Sequence, residues 1–193
     1  MHGPDEAGRE GTRVERVGPT NRSDFFRVHS PKNGEGWCCC AAWWVATWDG
    51  WGERTAEENR ALRERLFDRG EWDGYLLYLD DEPVAWCQVG PRDRLAKLAA
   101  QFGRSPDPGT WAVTCFVVAP RVRRRGIARA LLDHVLLDLA GRGARRVEAY
   151  PRRGAAEPGA MWTGPEAMFL DAGFVAVAGT EGRPVLIRDL TVR

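Results

Sequence analysis

A short arginine-rich junction between an apolar strand and an amphipathic helix constrains the fold of this chain most. Residues 111–118 form an apolar, β-branched run that predicts a buried strand. Beyond the arginines, apolar residues recur every fourth position and predict a helix with the stripe Ile127, Leu131, Val135 and Leu139. Unpaired N–H groups and the positive end of the helix dipole attract phosphate at such a helix start, and Gly126 allows close approach. The junction therefore predicts a site for a diphosphate-bearing cofactor.

The spacing within the junction discriminates between classes of cofactor. It contains neither the Gly-x-Gly-x-x-Gly of dinucleotide folds nor the Gly-x-x-x-x-Gly-Lys-Ser/Thr of nucleotide hydrolases. Its pattern, Arg123-x-x-Gly126-x-Ala128, resembles the Gln/Arg-x-x-Gly-x-Gly/Ala signature of the Gcn5-related N-acetyltransferases, the GNAT family. A predicted strand follows at 145–150, and residues 166–174 resemble the closing helix of that family, which typically ends in Gly-Phe. The resemblance covers residues 110–178 and implies an acetyl-coenzyme A-dependent N-acetyltransferase.

The resemblance also implies where the acyl donor binds. In the family, the pantetheine arm pairs with the backbone of the strand before the signature, which here points to Phe116, Val117 and Val118. A strand N–H near Val117 would stabilise the thioester oxyanion. The signature holds the pyrophosphate, which assigns to the coenzyme site Arg123, Arg124, Arg125, Gly126, Ile127, Ala128 and Arg129. Arg121 is a further candidate for balancing phosphate charge.

The order of predicted elements indicates the fold class. Strands, helices and a hairpin are expected in turn at 12–18, 23–28, 37–44, 55–67, 75–90, 92–102, 111–118, 127–139, 145–150, 166–174, 175–178 and 185–190. The hairpin turns through the acidic residues 80–82, and Thr55 with Glu58 forms a capping box. This order predicts a mixed α/β, GNAT-like three-layer fold, with about six or seven strands in a central, mostly antiparallel, twisted sheet flanked by helices.

Length and composition limit the partners and the compartment. A chain of 193 residues predicts one domain at 12–193 after a polar tail at 1–11. No stretch approaches the roughly 18 apolar residues of a membrane span, so we expect a cytoplasmic protein without a membrane partner. The five arginines of the junction could also form a solvated charge run or contact nucleic acid. However, 28 basic residues face 27 acidic ones, so the net charge of +1 does not favour a nucleic-acid partner.

The cysteines do not predict a disulfide framework or a metal site. The chain contains five, at positions 38, 39, 40, 87 and 115. An odd count with three in succession argues against disulfides, and no histidine stands near a cysteine pair at zinc-site spacing. We therefore interpret Cys38, Cys39 and Cys40 as a strand or loop of small apolar residues, with a metal or redox role as the alternative.

The catalytic acid and base depart from the family pattern. The closing helix of the family usually carries a tyrosine that protonates the departing thiolate, and Phe169 stands at that position. Glu148 and Tyr150, two residues apart on a predicted strand, face one side, and we assign them as base and acid. The alternative is that Glu148 pairs with an arginine and Tyr150 packs at the strand edge. Cys115 as an acyl-accepting nucleophile is a weaker option because no partner base is evident.

A cluster of tryptophans is the candidate for the acceptor side. Five of them lie within residues 37–51, and we assign Trp37, Trp43 and Trp44 to substrate binding, with a core role as the alternative. Large rings suit an apolar, planar or cationic acceptor. The expected acceptor is a primary amine on a small molecule, with peptide N-termini and protein lysines as alternatives. A coenzyme-binding sensor without catalysis is the rival hypothesis, and a homodimer remains open.

Overall fold

The computed structural model describes residues 11–33, 36–154 and 161–190. The strands of these residues are β1 (Thr12–Arg16), β2 (Tyr75–Leu79), β3 (Glu82–Pro91), β4 (Thr110–Val118), β5 (Arg146–Ala149), β6 (Val175–Thr180) and β7 (Arg183–Asp189). They form one sheet in the order β1-β2-β3-β4-β5-β7-β6. Only the β4–β5 pair is parallel among these neighbours. The predicted mixed α/β fold with a mostly antiparallel sheet is confirmed.

Five α-helices of the described residues flank the sheet. They are α1 (Arg22–Val28), α2 (Ala56–Asp68), α3 (Ala96–Gln101), α4 (Ile127–Gly141) and α5 (Glu166–Asp171). The predicted capping box starts α2: the Glu58 N–H donates to Thr55 Oγ1 at 3.1 Å, and the Thr55 N–H donates to Glu58 Oε2 at 2.7 Å. These two bonds satisfy N–H groups that a helix start leaves without partners. The predicted helix start is therefore confirmed.

The acidic turn between β2 and β3 is a tight hairpin, as predicted. Asp80 and Asp81 have φ values of 48° and 62°. Positive φ at both central residues matches the right-handed twist of the two strands, and aspartate tolerates that conformation better than most residues.

The strand expected at 37–44 is wrong. That segment is a loop that ends in a 3-10 turn at Ala42–Trp44. Cys39 and Cys40 have φ values of 44° and 45°, which no strand allows. Their carbonyl oxygens accept hydrogen bonds from the guanidinium of Arg63 on α2 instead of from a neighbouring strand.

The central strands diverge and create an opening in the sheet. β4 pairs with β5 from Thr110 to Val113, where β5 ends, and β4 then continues to Val118 along β3 alone. Phe116 packs into the core beneath α4, whereas Cys115 packs on the opposite face with α1 and α2. The end of β4 beyond β5 therefore contributes side chains to both faces of the sheet.

Three further predictions concern the N-terminal tail, the extent of the domain and membrane-spanning segments. Residues 1–10 of the predicted tail lie outside the described residues, so the tail and the single domain at 12–193 stay predictions. None of the helices in the described ranges is long and apolar enough to cross a membrane.

Candidate functional site

A cleft of about 1200 Å³ lies along the part of β4 that extends beyond its pairing with β5. The arginine junction and the first turn of α4 line one end. The other end is lined by residues from the 36–42 loop, Trp51, and the segment 161–168. The cleft thus joins the predicted phosphate site to a chamber on the side of the tryptophan cluster.

The junction adopts a turn that presents the start of α4. Arg124 has a φ of 59° and Gly126 a φ of 77°, and α4 begins directly afterwards at Ile127. The first helical bond runs from the Ala130 N–H to the Gly126 carbonyl at 2.9 Å, so the N–H groups of residues 127–129 precede the helical hydrogen-bond ladder. A Cβ built at Gly126 would meet nothing within 4 Å. Glycine is therefore favoured there by the backbone conformation, and the space in front of it is open.

The arginines of the junction divide into two groups. Arg123, Arg124 and Arg129 line the cleft, where Arg123 Nε donates to the Val118 carbonyl at 3.0 Å. Arg125 does not contribute to the described lining. Arg121 bonds to Asn33 and Glu82, each at 2.8 Å, outside the cleft. The other residues of the predicted coenzyme site line the cleft together: Phe116, Val117, Val118, Gly126, Ile127 and Ala128. Their binding roles stay predictions.

The backbone of β4 already has partners at two of the predicted pantetheine positions. The Phe116 N–H donates to the carbonyl of Trp162 at 2.7 Å, and the Val118 carbonyl accepts the bond from Arg123. Because N–H groups alternate in direction along a strand, the Val118 N–H faces the same open side as that of Phe116. A ligand that pairs with Phe116 would therefore have to replace the Trp162 carbonyl.

Glu148 and Tyr150 face one side, as predicted, and they contact each other in a buried network outside the described lining of the cleft. The Tyr150 hydroxyl donates to Glu148 Oε2, and Arg104 donates to Glu148 Oε1 at 2.7 Å. Arg92 lies 3.7 Å from the same carboxylate. Burial and the charge of Glu148 raise the pKa of Tyr150 well above its ordinary value. The carboxylate is thus ion-paired, which was one of the two alternatives, and the catalytic role of the pair stays a prediction.

The family's tyrosine position is filled by a core ring. Phe169 is fully buried, with its ring centroid 6.2 Å from that of Phe116 and 5.3 Å from that of Phe174. Its neighbour Met168 lines the cleft. The structure therefore offers no hydroxyl at this position.

Only one of the three predicted substrate tryptophans lines the cleft. Trp37 does, and its ring packs 5.0 Å from that of Trp51, which also lines it. Trp43 is buried beside Trp162, and Trp44 packs against the same core cluster, so both correspond to the core alternative. The cleft residue Trp162 was not anticipated as a site residue, because it belongs to a loop without a local pattern.

A group of thiols and one histidine line the end of the cleft beside the 36–42 loop, which we call the acceptor end. His29 and all cysteines except Cys87 belong to the lining. His29 Nε2 lies 3.2 Å from Cys40 Sγ, which lies 2.7 Å from Cys115 Sγ. No group of three or more side chains suited to a metal ion occurs within the described ranges. The sequence did not predict this juxtaposition, because His29 and Cys115 are far apart along the chain.

The amino-acid sequence matches the model of the acetyltransferase (GNAT) family over residues 39–157. This range includes β4, the arginine junction, α4 and β5. No curated protein sequence matches the chain.

Several solved acetyltransferase structures share this fold. The ribosomal-protein-S18-alanine N-acetyltransferase of Escherichia coli has 13% identity and a TM-score of 0.55, over 93% of this chain and 94% of that one. The PaiA N-acetyltransferase of Thermoplasma acidophilum, solved with coenzyme A, has 9% identity and a TM-score of 0.55, over 92% and 98%. The GNAT domain of S. lividans PAT has 18% identity and a TM-score of 0.58, over 93% and 90%. These likenesses concern the fold, and the family match goes further: the chain belongs to the GNAT family of acetyl-coenzyme A-dependent N-acetyltransferases.

Proposed function

We propose that this protein transfers an acetyl group from acetyl-coenzyme A to a primary amine on a small molecule. In this reaction, the amine nitrogen attacks the thioester carbonyl directly. The observation that carries the proposal is the continuity of the cleft. One cavity extends from the arginine junction, past the end of β4, to a chamber walled by Trp37, Trp51 and Trp162.

The donor end of the cleft fits a coenzyme A pyrophosphate. The N–H groups at the start of α4 and the open space before Gly126 form a cradle for an anion. Arg123, Arg124 and Arg129 line this end and supply positive charge, although Arg129 is also paired with Asp133 at 2.9 Å. Charge-assisted hydrogen bonds of this kind are the strongest that such a site can offer a diphosphate. Bound there, the coenzyme would supply the activated acetyl thioester.

The acceptor end favours a small, partly aromatic amine. The rings of Trp37 and Trp51 and the sulfur atoms of Cys38, Met161 and Met168 make this part of the lining largely apolar. Aromatic and sulfur-bearing walls attract flat apolar groups, and an indole face also attracts an ammonium group. These walls support a small-molecule amine as the acceptor.

Glu148 and Tyr150 are the proposed proton-transfer groups. The attack requires removal of a proton from the amine, and the coenzyme thiolate leaves more readily when it is protonated. Glu148 lies on β5, next to the strand that borders the cleft, and an intervening water would connect it to the amine. Tyr150 already holds a proton that it shares with Glu148.

Calorimetry with acetyl-coenzyme A, followed by a thiol-release assay on a panel of amines, tests the function. We expect micromolar binding and release of coenzyme A that depends on an added aromatic or aralkyl amine. Peptides with free N-termini and lysine peptides serve as comparison acceptors. Turnover confined to those peptides would overturn the small-molecule assignment, and absence of binding would overturn the donor.

Two observations favour a second candidate, a coenzyme-binding sensor without turnover. Phe169 offers no hydroxyl for the thiolate, and the Trp162 carbonyl occupies the Phe116 amide. A sensor would bind acetyl-coenzyme A with the same affinity but release no thiol with any amine, which the same two assays distinguish.

A further inference from the structure

The acceptor end of the cleft contains a cysteine and a histidine in the geometry of a nucleophile and its base. His29 Nε2 lies 3.2 Å from Cys40 Sγ, and both residues line the cleft that the donor would enter. Contact between a thiol and an imidazole nitrogen is the arrangement by which enzymes activate a cysteine for acyl transfer. This pair is built by the fold, because His29 directly follows α1 and Cys40 lies in the loop before α2.

The hydrogen bond made by His29 Nδ1 determines that Nε2, the nitrogen facing Cys40, is the proton acceptor. His29 Nδ1 lies 2.8 Å from the carbonyl oxygen of Phe25. A carbonyl only accepts hydrogen bonds, so Nδ1 must be the donor, and in the neutral ring Nε2 is then the acceptor. The His29 ring also stacks on Phe25, with centroids 4.0 Å apart. His29 is therefore held with its basic nitrogen directed at Cys40.

Cys40 is held by an unusual backbone and a buried cation. Cys39 and Cys40 both have positive φ, which is costly for residues other than glycine. Arg63, fully buried, fixes the loop by donating to the carbonyls of Cys39 and Cys40 and to Gln88 Oε1. No carboxylate is among these partners of Arg63. Its positive charge therefore favours negative charge on the nearby sulfur atoms.

We propose that Cys40 accepts the acetyl group from acetyl-coenzyme A and becomes S-acetylated, with His29 as the base. The Cys40 proton moves to His29 Nε2 while Sγ bonds to the thioester carbonyl carbon. The bond between that carbon and the coenzyme sulfur then breaks, and the departing sulfur takes the proton from His29. One thioester is exchanged for another, without an oxidant or reductant. The inference rests on the proposed binding of acetyl-coenzyme A in this cleft and makes Cys40 a second acceptor beside the amine.

His29 is essential to this step because the resting thiol is neutral. Burial raises the pKa of Cys40 well above its ordinary value, and the contact with Cys115 acts in the same direction. A thiol in this state does not ionise unaided at neutral pH, so its proton must leave as the new bond forms. Cys115 Sγ, 2.7 Å away, lacks the direct contact with His29 Nε2 that Cys40 has. The geometry therefore favours Cys40 over Cys115 as the first acceptor.

Intact-protein mass spectrometry of the full chain tests the proposal. The protein is incubated with acetyl-coenzyme A without an amine, in a phosphine reductant, because a thiol reductant would itself accept the acyl group. We expect a mass gain of one acetyl group, located at Cys40 by peptide mapping and removed by neutral hydroxylamine, which cleaves thioesters but not amides. An equal amount of free coenzyme A should appear.

Four variants make the result specific. Cys40→Ala and Cys40→Ser should lose the adduct, and the serine keeps the size and polarity of the site if the alanine variant is unstable. Cys87→Ala is the matched control, because Cys87 is equally buried but packs beneath α4 and away from the cleft. His29→Gln should slow adduct formation on the order of a hundredfold, the effect of a lost general base.

An unmodified protein that binds acetyl-coenzyme A in calorimetry would overturn this inference and leave the proposed function intact. A hydroxylamine-labile adduct mapped to Cys115, or retained in both Cys40 variants, would also overturn it. If acetyl-coenzyme A does not bind at all, the proposed function fails first. An adduct at Cys40 without turnover of any amine would support the inference and reject the proposed transfer to amines.

Discussion

The backbone N–H of Phe116 donates a hydrogen bond to the carbonyl oxygen of Trp162 over 2.7 Å. It joins β4 to the segment 161–165 beyond the point where β5 ends, so a loop residue takes the place that a neighbouring strand would fill. The bond holds the Trp162 ring in the cleft wall, 6.0 Å from Trp43. This bond thereby connects β4, along which acetyl-coenzyme A is proposed to bind, to the part of the cleft wall that is proposed to contact the amine.

Substitution of Trp162 should weaken acceptor binding more than donor binding. Trp162→Ala removes a ring from the cleft wall and its contact with Trp43, a type of contact worth about 1 kcal/mol. We expect kcat/KM for an aromatic amine to fall about fivefold, with little change in the affinity for coenzyme A measured by calorimetry. Trp72→Ala is the control, because Trp72 stacks on Phe67 and lies outside the described cleft lining. Equal loss of amine and coenzyme affinity would contradict this assignment.

Substitutions of Gly126 should be tolerated according to how readily the new residue adopts a positive φ. At a φ of 77°, a β-branched residue is strained by about 1–2 kcal/mol. Gly126→Val should therefore disturb the start of α4 and weaken coenzyme A binding about tenfold. Gly126→Asn should retain most of the affinity, because asparagine adopts this conformation more readily and the space around Cβ is open. If calorimetry finds both variants equally weak, bulk near the ligand, and not backbone conformation, makes glycine necessary.

Measuring both the stability and the turnover of Glu148→Gln distinguishes a catalytic role of Glu148 from a structural one. The loss of its charge removes the ion pair with Arg104 and one of two carboxylates near Arg92, which keeps Asp93 at 2.9 Å, and this costs about 2 kcal/mol of unfolding free energy. We expect turnover to fall on the order of a hundredfold at a temperature where the variant is fully folded, with unchanged coenzyme binding. Full turnover in the folded variant would restrict Glu148 and Tyr150 to a structural role.

Lys97 should make stability rise with pH in the alkaline range. Its ammonium lies 3.5 Å from the Trp48 ring, and burial lowers its pKa to about 8. The pKa is thus lower in the folded state than in the unfolded chain, where it is near its ordinary value of about 10.4. Between these two values the unfolded chain binds more protons, so the Lys97 contribution to stability increases with pH there and is smallest below pH 8.

Denaturant unfolding of the wild type and Lys97→Met from pH 7 to pH 10 measures this effect. The stability of the wild type relative to the variant should increase above about pH 8. A difference that is constant with pH would show that the Lys97 pKa is the same in both states.

The local features of this chain were predictable because short-range forces determine them. The capping box of Thr55 and Glu58 involves groups three residues apart, and the Asp80-Asp81 turn is a two-residue hairpin. The α4 stripe and the glycine at its start are likewise contained within one element. In each case, the residues that form the structure are neighbours in the chain, so a short sequence pattern is enough to predict it.

The acceptor end depends on contacts between distant parts of the chain. Arg63 lies 24 residues from Cys39, Arg104 lies 44 residues from Glu148, and Cys115 lies 75 residues from Cys40. Because of these partners, the segment 37–44 is a loop instead of the expected strand, and the candidate base Glu148 is paired with arginines. No periodicity or motif records such pairings, because each partner looks like an ordinary core or surface residue in its own segment.

The sequence by itself therefore determined the strand, junction and helix that would receive a diphosphate, since adjacent residues encode them through backbone conformation and helix polarity. The tertiary structure alone decided which side chains share the cleft with that site. The divergence of β4 from β5 opened the sheet, and the packing of α1, α2 and the 36–42 loop brought His29, Cys40 and Cys115 together at its far end. Proximity between distant residues follows from how the layers pack, and only the folded chain reveals it.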